Sequence, residues 1–145
     1  VIERADVVAL ARSQIGIPFH HGQAVRDVAC DCIGLVVIVA AALGLPEAAR
    51  WKADTRFQGY GRLPLPDKLL EACAEYMDPV PLGSAKPGHV MLFSFKRDPM
   101  HFGILSRAEP PYVIHGYQRV GRVVENGLRA SFWRPLAAFN LRGVA

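Results

Sequence analysis

The chain has 145 residues, 51% of them hydrophobic and 21% charged, with a formal charge of +4 and a pI of about 9.2. That length sustains a real core, and that composition excludes a disordered chain. The basic residues are dispersed, with no run beyond Lys96-Arg97, which argues against nucleic acid as a partner and leaves a weak preference for another anionic polymer.

Residues 1–145 are read as one domain. The three cysteines, Cys30, Cys32 and Cys73, are an odd set and not a disulfide framework. Cys73 reads as a small buried apolar residue. The longest apolar run, Ile33 to Leu45, is too short to span a bilayer. Val1 to Gly16 carries acids and an amphipathic pattern instead of a basic start and an apolar block, so no signal peptide is read there. Synthesis in the cytoplasm, with export by another route, is the expectation.

Glu3 to Ile15 reads as a helix, with Val7, Val8, Ala11 and Ile15 on one stripe and Gly16 and Pro18 ending it. Ile17 to Ala29 is a loop or short extended piece holding Phe19, His20, His21 and Gly22. Cys32 to Leu43 is a second helix, apolar nearly all round and therefore central. Asp31 is its expected N-cap, and Gly44 and Pro46 end it. Glu47 to Leu65 has no clean period and is read as a long irregular loop with Trp51, Phe57 and Tyr60, able to wall a cleft. Pro66 to Met77 is a third helix with Leu69, Leu70, Cys73 and Met77 on one face.

From His89 onward the period changes to two. Strands are expected at Val90 to Phe95, His101 to Ser106, Pro111 to Gly116, Arg122 to Glu125 and Ser131 to Phe139. Turns are expected at Lys96 to Pro99, Ala108 to Pro111, Gln118 to Gly121 and Asn126-Gly127. Helices followed by strands favour α+β with an antiparallel sheet of about five or six strands.

The chemistry concentrates on Cys32, His101 and His115. A cysteine in the first turn of a helix meets unsatisfied N–H groups and the positive end of the dipole, which favour thiolate. A nearby imidazole can take the thiol proton and return it to a leaving amine, and a third group must fix that imidazole's tautomer. His101 and His115 flank a turn near Ala108, so a hairpin there pairs them opposite or nearly so, with both side chains on one face. The second helix packed on that face would bring Cys32 to His101. The alternative is two partly exposed polar strand residues. A zinc site built from His20, His21, Cys30, Cys32, His101 and His115 is the competing arrangement, but Cys-x-Cys lacks the spacer of zinc knuckles. No metal and no cofactor are expected. His89 reads as structural or as part of the rim.

Asp31-Cys32-Ile33-Gly34-Leu35-Val36 resembles the Asp-Cys-Ser-Gly-Leu-Val nucleophile motif of NlpC/P60 cysteine peptidases. His101-Phe102-Gly103-Ile104 resembles the family's His-Val-Gly-Ile, Val113-Ile114-His115 its third motif, and Pro87-Gly88-His89 its Pro-Gly-Asp strand start. Gly16 to Ala24, Cys30-Asp31-Cys32, Val123-Val124-Glu125 and the ending Trp133 to Phe139 are similar to phage tail-associated members, including those of prophages and gene transfer agents.

The resemblance implies a papain-like fold, with the nucleophile helix packed on an antiparallel sheet. It implies hydrolysis of peptidoglycan stem peptides, commonly between D-γ-glutamate and a diamino acid, with Cys32 as nucleophile, His101 as base and His115 orienting His101. It also implies phage tail proteins as partners and action in the periplasm or cell wall. Phe19 stands where the family carries a tyrosine whose hydroxyl assists at the oxyanion. His20, His21 and Tyr60 are the candidates to replace it. A wall-binding or tail-tip module without catalysis, and an amidase on another substrate, are the alternative functions.

Overall fold

A computed structural model describes residues 1–57, 66–95, 98–129 and 133–145. Four helices lie within them: α1 (Arg4–Ser13), α2 (Cys32–Ala42), α3 (Ala48–Ala53) and α4 (Pro66–Tyr76). A two-stranded hairpin, β1 (Ala24–Val25) and β2 (Ala29–Cys30), precedes α2. Six further strands follow α4: β3 (Met77–Val80), β4 (Val90–Phe95), β5 (Asp98–Ala108), β6 (Pro111–Tyr117), β7 (Arg122–Gly127) and β8 (Trp133–Leu141). They form one antiparallel sheet in the order β3-β8-β4-β5-β6-β7. The α+β architecture matches the order of helical and alternating patterns along the chain.

Alternation decides what each face of the sheet carries. Val90, Leu92, Phe102, Ile104, Ile114 and Val123 face the helices and join the core around α2. Met91, Phe93, Leu105, Val113 and Trp133 pack together on the other face. Every residue of α2 from Cys32 to Ala40 is buried, because the helix lies between α1, α3, the small hairpin and strands β5 and β6. Burying side chains such as Leu35, Val36 and Ile38 contributes roughly 1.5–3 kcal/mol each, so α2 anchors the whole arrangement.

Several boundaries differ from the sequence reading. Ile15, assigned to the buried stripe of α1, is 45% exposed, because the helix ends at Ser13 and the stripe ends with it. The segment read as an irregular loop from Glu47 contains α3 and a 3-10 turn at Thr55–Phe57. There Trp51 stacks on Tyr76 at 5.3 Å and both contact Phe57, so tertiary aromatic packing stabilises what the local period did not signal. Met77 begins β3 instead of closing α4, and Asp78-Pro79 lies within that strand, paired with Asn140 and Phe139. Edge strands tolerate proline. Asn126-Gly127, expected to turn, ends β7 opposite Val113 and Tyr112. Lys96-Arg97 and Ser131 lie outside the described residues.

Candidate active site

The start of α2 is fixed by Asp31. Its extended backbone places it outside the helix, and its Oδ1 accepts from Gly34 N at 2.7 Å, as an N-cap does. Its Oδ2 accepts from Gly22 N at 2.8 Å, which ties the His21-Gly22 turn to the helix start. Burial raises the Asp31 carboxyl, against the opposing effect of these N–H groups and of nearby His21. Gly34 is dictated by space: a Cβ there would lie 2.1 Å from the Gln23 carbonyl oxygen.

Cys32 is the first residue of α2 and is fully buried. Its helix start rests on β6. A Cβ at Gly116 would lie 2.8 Å from Asp31 O and 3.3 Å from Cys32 N. The cysteine's backbone is thus held beside the residue that follows His115. The other two thiols are also fully buried. Burial pushes both Cys30 and Cys73 up to about 12, with the Asp31 charge adding to the effect at Cys30.

The histidines stand on the opposite face of the sheet from the one α2 covers, because they alternate with Phe102 and Ile114. This corrects the expected packing of α2 on the histidine face: the helix approaches through Gly116. The hairpin register is also shifted by a residue pair. Ile104 pairs with Ile114 and Leu105 with Val113 around a turn at Glu109-Pro110, so His101 and His115 are diagonal neighbours. His101 Nε2 lies 2.5 Å from His115 Nδ1, with the rings edge-on at 82°.

The row continues to a residue the sequence reading assigned only to a turn. His115 pairs with Val124, and two residues further along β7 the Asn126 Oδ1 lies 2.7 Å from His115 Nε2. Three successive strands therefore supply His101, His115 and Asn126 in one diagonal line. The signal that could have found Asn126 is its placement on β7, two residues from the partner of His115; a turn reading hides it.

This line has a direction. A carboxamide oxygen can only accept, so His115 Nε2 donates to Asn126. Neutral His115 then carries its lone pair on Nδ1 and accepts from His101 Nε2–H. That leaves the lone pair of His101 on Nδ1, available as a base. Burial keeps both rings neutral. It drives His101 well below the ordinary histidine range, aided by His115, and lowers His115 to about 4, opposed by the Asn126 bond. The low-dielectric surroundings are aromatic: Trp133 lies 4.8 Å from the His101 ring, and Tyr117 stacks on His115 at 5.0 Å.

The remaining candidates are distributed around the helix start. Phe19 is half-buried and bridges Cys30, while His20 N donates to Cys30 O at 3.0 Å. The side chains of His20 and His21 are exposed. Tyr60 lies outside the described residues. His89 is a turn residue, with Nδ1 accepting from Lys86 N at 3.0 Å. Among the described residues, no group of three or more His, Cys, Asp or Glu side chains is arranged to hold a metal ion. No helix among them is long and apolar enough to cross a membrane. A cleft of about 400 Å³ opens beside the start of α2, lined by Gly22, Asp31, Gly34, Trp51, Lys52 and Asp54 among others.

Known structures share this arrangement of helices and sheet. NlpC2 from Trichomonas vaginalis superposes over 96% of this chain with a TM-score of 0.66 at 13% identity. The fold is that of NlpC/P60 domains. This chain spans only 46% of the Trichomonas protein. The peptidoglycan hydrolase RipB from Mycobacterium tuberculosis matches 94% of this chain and 63% of its own, with a TM-score of 0.58 at 18% identity. An N-acetylmuramoyl-L-alanine amidase from Bacteroides uniformis matches 96% of this chain and 98% of its own, with a TM-score of 0.60 at 13% identity. No family model matches the sequence, and a search of curated proteins returns no match. At these identities the likeness to NlpC/P60 structures concerns the fold.

Proposed function

We propose that the protein is an NlpC/P60-type cysteine peptidase that hydrolyses amide bonds in peptidoglycan stem peptides. The observation that carries this reading is the directed hydrogen-bond line ending on His101 of β5, whose middle member His115 precedes Gly116, the residue of β6 that receives the start of α2. A neutral imidazole with its lone pair on Nδ1 is the base that a buried thiol requires. The fold neighbours, one a peptidoglycan hydrolase and one a muramoyl-alanine amidase, support the substrate class.

In this mechanism the Cys32 thiol reaches the histidine face past Gly116, where no side chain intervenes, and His101 Nδ1 takes its proton as Sγ attacks the amide carbonyl. The positive end of α2 stabilises the oxyanion. His101 then protonates the leaving amine, and the acyl group remains on Cys32 as a thioester. Water adds with His101 again as base, and the carboxylate product leaves. His115 holds the His101 tautomer throughout. Phe19 has no donor to add, and His20, His21 and Tyr60 are the candidates for that part. The cleft beside Asp31, with Lys52 and Asp54 on its wall, supplies opposite charges for a peptide that carries both carboxylates and amines.

The finer reading is cleavage between D-γ-glutamate and a diamino acid by a phage or prophage tail-associated enzyme, acting in the periplasm or wall. The motif resemblance at Gly16 to Ala24 and Trp133 to Phe139 supports it. A second reading, a wall-binding or tail-tip module without catalysis, is favoured by Phe19 and by the full burial of Cys32. Incubation with purified peptidoglycan, followed by mass spectrometry of the soluble fragments, separates these readings. Fragments of defined mass identify a hydrolase and its bond. Sedimentation of the protein with the polymer and no fragments identifies the binding module. Hydrolysis of small acyl amides, with peptidoglycan left intact, identifies an amidase on another substrate.

A further inference from the structure

We infer that Asn126 is a positioning residue that sets the tautomers of both His115 and His101, an inference that rests on the cysteine-peptidase reading above. The two possible orientations of its carboxamide impose opposite polarities on the line. With Oδ1 toward His115, as found, both imidazoles carry their proton on Nε2 and the lone pair of His101 emerges at Nδ1. With the amide nitrogen toward His115, Nε2 of His115 must accept and its Nδ1–H must donate to His101 Nε2. His101 would then carry its proton on Nδ1 and could take none from a thiol.

His115 cannot make this choice alone. Its imidazole is symmetric in the sense that either nitrogen can donate, and at full burial no water competes for Nε2. The aromatic neighbours, Tyr117 stacked on His115 and Trp133 edge-on to it, select an orientation, not a proton position. Asn126 is the group bonded to the outer nitrogen. Its chain neighbour Glu125 is committed to Arg12, at 2.9–3.0 Å from both carboxylate oxygens, and so does not set the charge at His115. A carboxamide also differs from a carboxylate at this position. It accepts the Nε2 proton without drawing a second proton onto His115, and a proton on His115 Nδ1 would oppose the one on His101 Nε2.

Nitrogen-15 NMR of the two histidine rings reads the tautomers directly and does not depend on activity. The wild-type protein is expected to show both rings protonated at Nε2 and bare at Nδ1. Asn126→Leu is expected to mix the tautomers of His115, to populate His101 Nδ1–H, and to lower kcat by about tenfold or more with little change in KM. Asn126→Asp keeps the acceptor, so it is expected to retain the wild-type tautomers and activity at high pH. Its acid limb should move upward as His115 is drawn toward imidazolium. A wild-type His101 protonated at Nδ1, or tautomers and pH profiles unchanged in both variants, would overturn the inference. The expected tautomers in a protein that cleaves no substrate would count against the peptidase reading and leave the positioning role standing.

Discussion

Gly116 lies directly against the peptide that joins Asp31 to Cys32. A side chain there would sit 2.8 Å from one backbone oxygen and 3.3 Å from a backbone nitrogen, neither of which can yield without moving the helix. The relationship couples the start of α2 to the strand that carries His115. Gly116→Ala is therefore expected to lower stability by about 1–3 kcal/mol, the usual cost of overpacking, and to reduce activity by more than the stability loss explains. Denaturant melts with kinetics at saturating folded protein check this. A variant with wild-type stability and rate would remove the coupling.

Asp31 holds two segments through two separate oxygens. Asp31→Ala leaves the N–H groups of Gly22 and Gly34 without that acceptor. The expected loss is about 1–3 kcal/mol, the range for a cap combined with a buried unsatisfied donor. Thermal unfolding measures it, and hydrogen exchange at Gly22 and Gly34 should rise together.

Much of this region was legible beforehand. The Asp-Cys junction and the all-round apolar run marked a buried helix with a capped start, because those are local properties. The face on which α2 packs was not legible. The period of two says that Phe102 and His101 point apart, but not which of them meets a helix. Nor was the register of β5 with β6: the turn falls at Glu109-Pro110, within the expected Ala108 to Pro111, and an irregularity between Leu105 and Arg107 sets the final offset, which makes the two histidines diagonal neighbours. Asn126 was hidden for the opposite reason. Asn-Gly is a strong turn signal, and here the pair is paired into β7 instead.

The buried histidines make stability depend on pH. The folded pKa of His115 is lowered to about 4 from 6.5, so the unfolded chain binds the extra proton first. The stabilisation is complete above about 6.5 and is lost as pH falls toward 4, with ~2 kcal/mol gone at pH 5 from this group alone. That corresponds to a fall in Tm of about 4–8 °C between pH 7.5 and pH 5. In His115→Asn the difference should shrink by that amount. An unchanged difference would mean that other groups set the acid limit.

The same burial sets the pH dependence of catalysis. His101 must be neutral to act as base, and it is held well below the ordinary range. The acid limb of kcat/KM is expected below pH 6.5, the unperturbed histidine value. A rate profile on peptidoglycan from pH 4 to pH 8 tests this, and a limb at or above 6.5 would contradict it.

The three thiols should separate by reactivity. Cys30 and Cys73 are pushed up to about 12 and should resist iodoacetamide in the folded protein near neutral pH. Cys32 is expected to be modified first, and His101→Ala to slow its modification by about tenfold or more. Peptide mapping after timed alkylation reads each site. Equal labelling of all three would argue against an activated cysteine.

The central claim is that Cys32 is the nucleophile of a peptidoglycan hydrolase. Its most direct test is mass spectrometry of the soluble fragments released from purified peptidoglycan by the wild-type protein and by Cys32→Ala, side by side. The prediction is stem-peptide fragments of one defined cleavage with the wild-type protein and none with the variant. No fragments from the wild type, or the same fragments from Cys32→Ala, would contradict it.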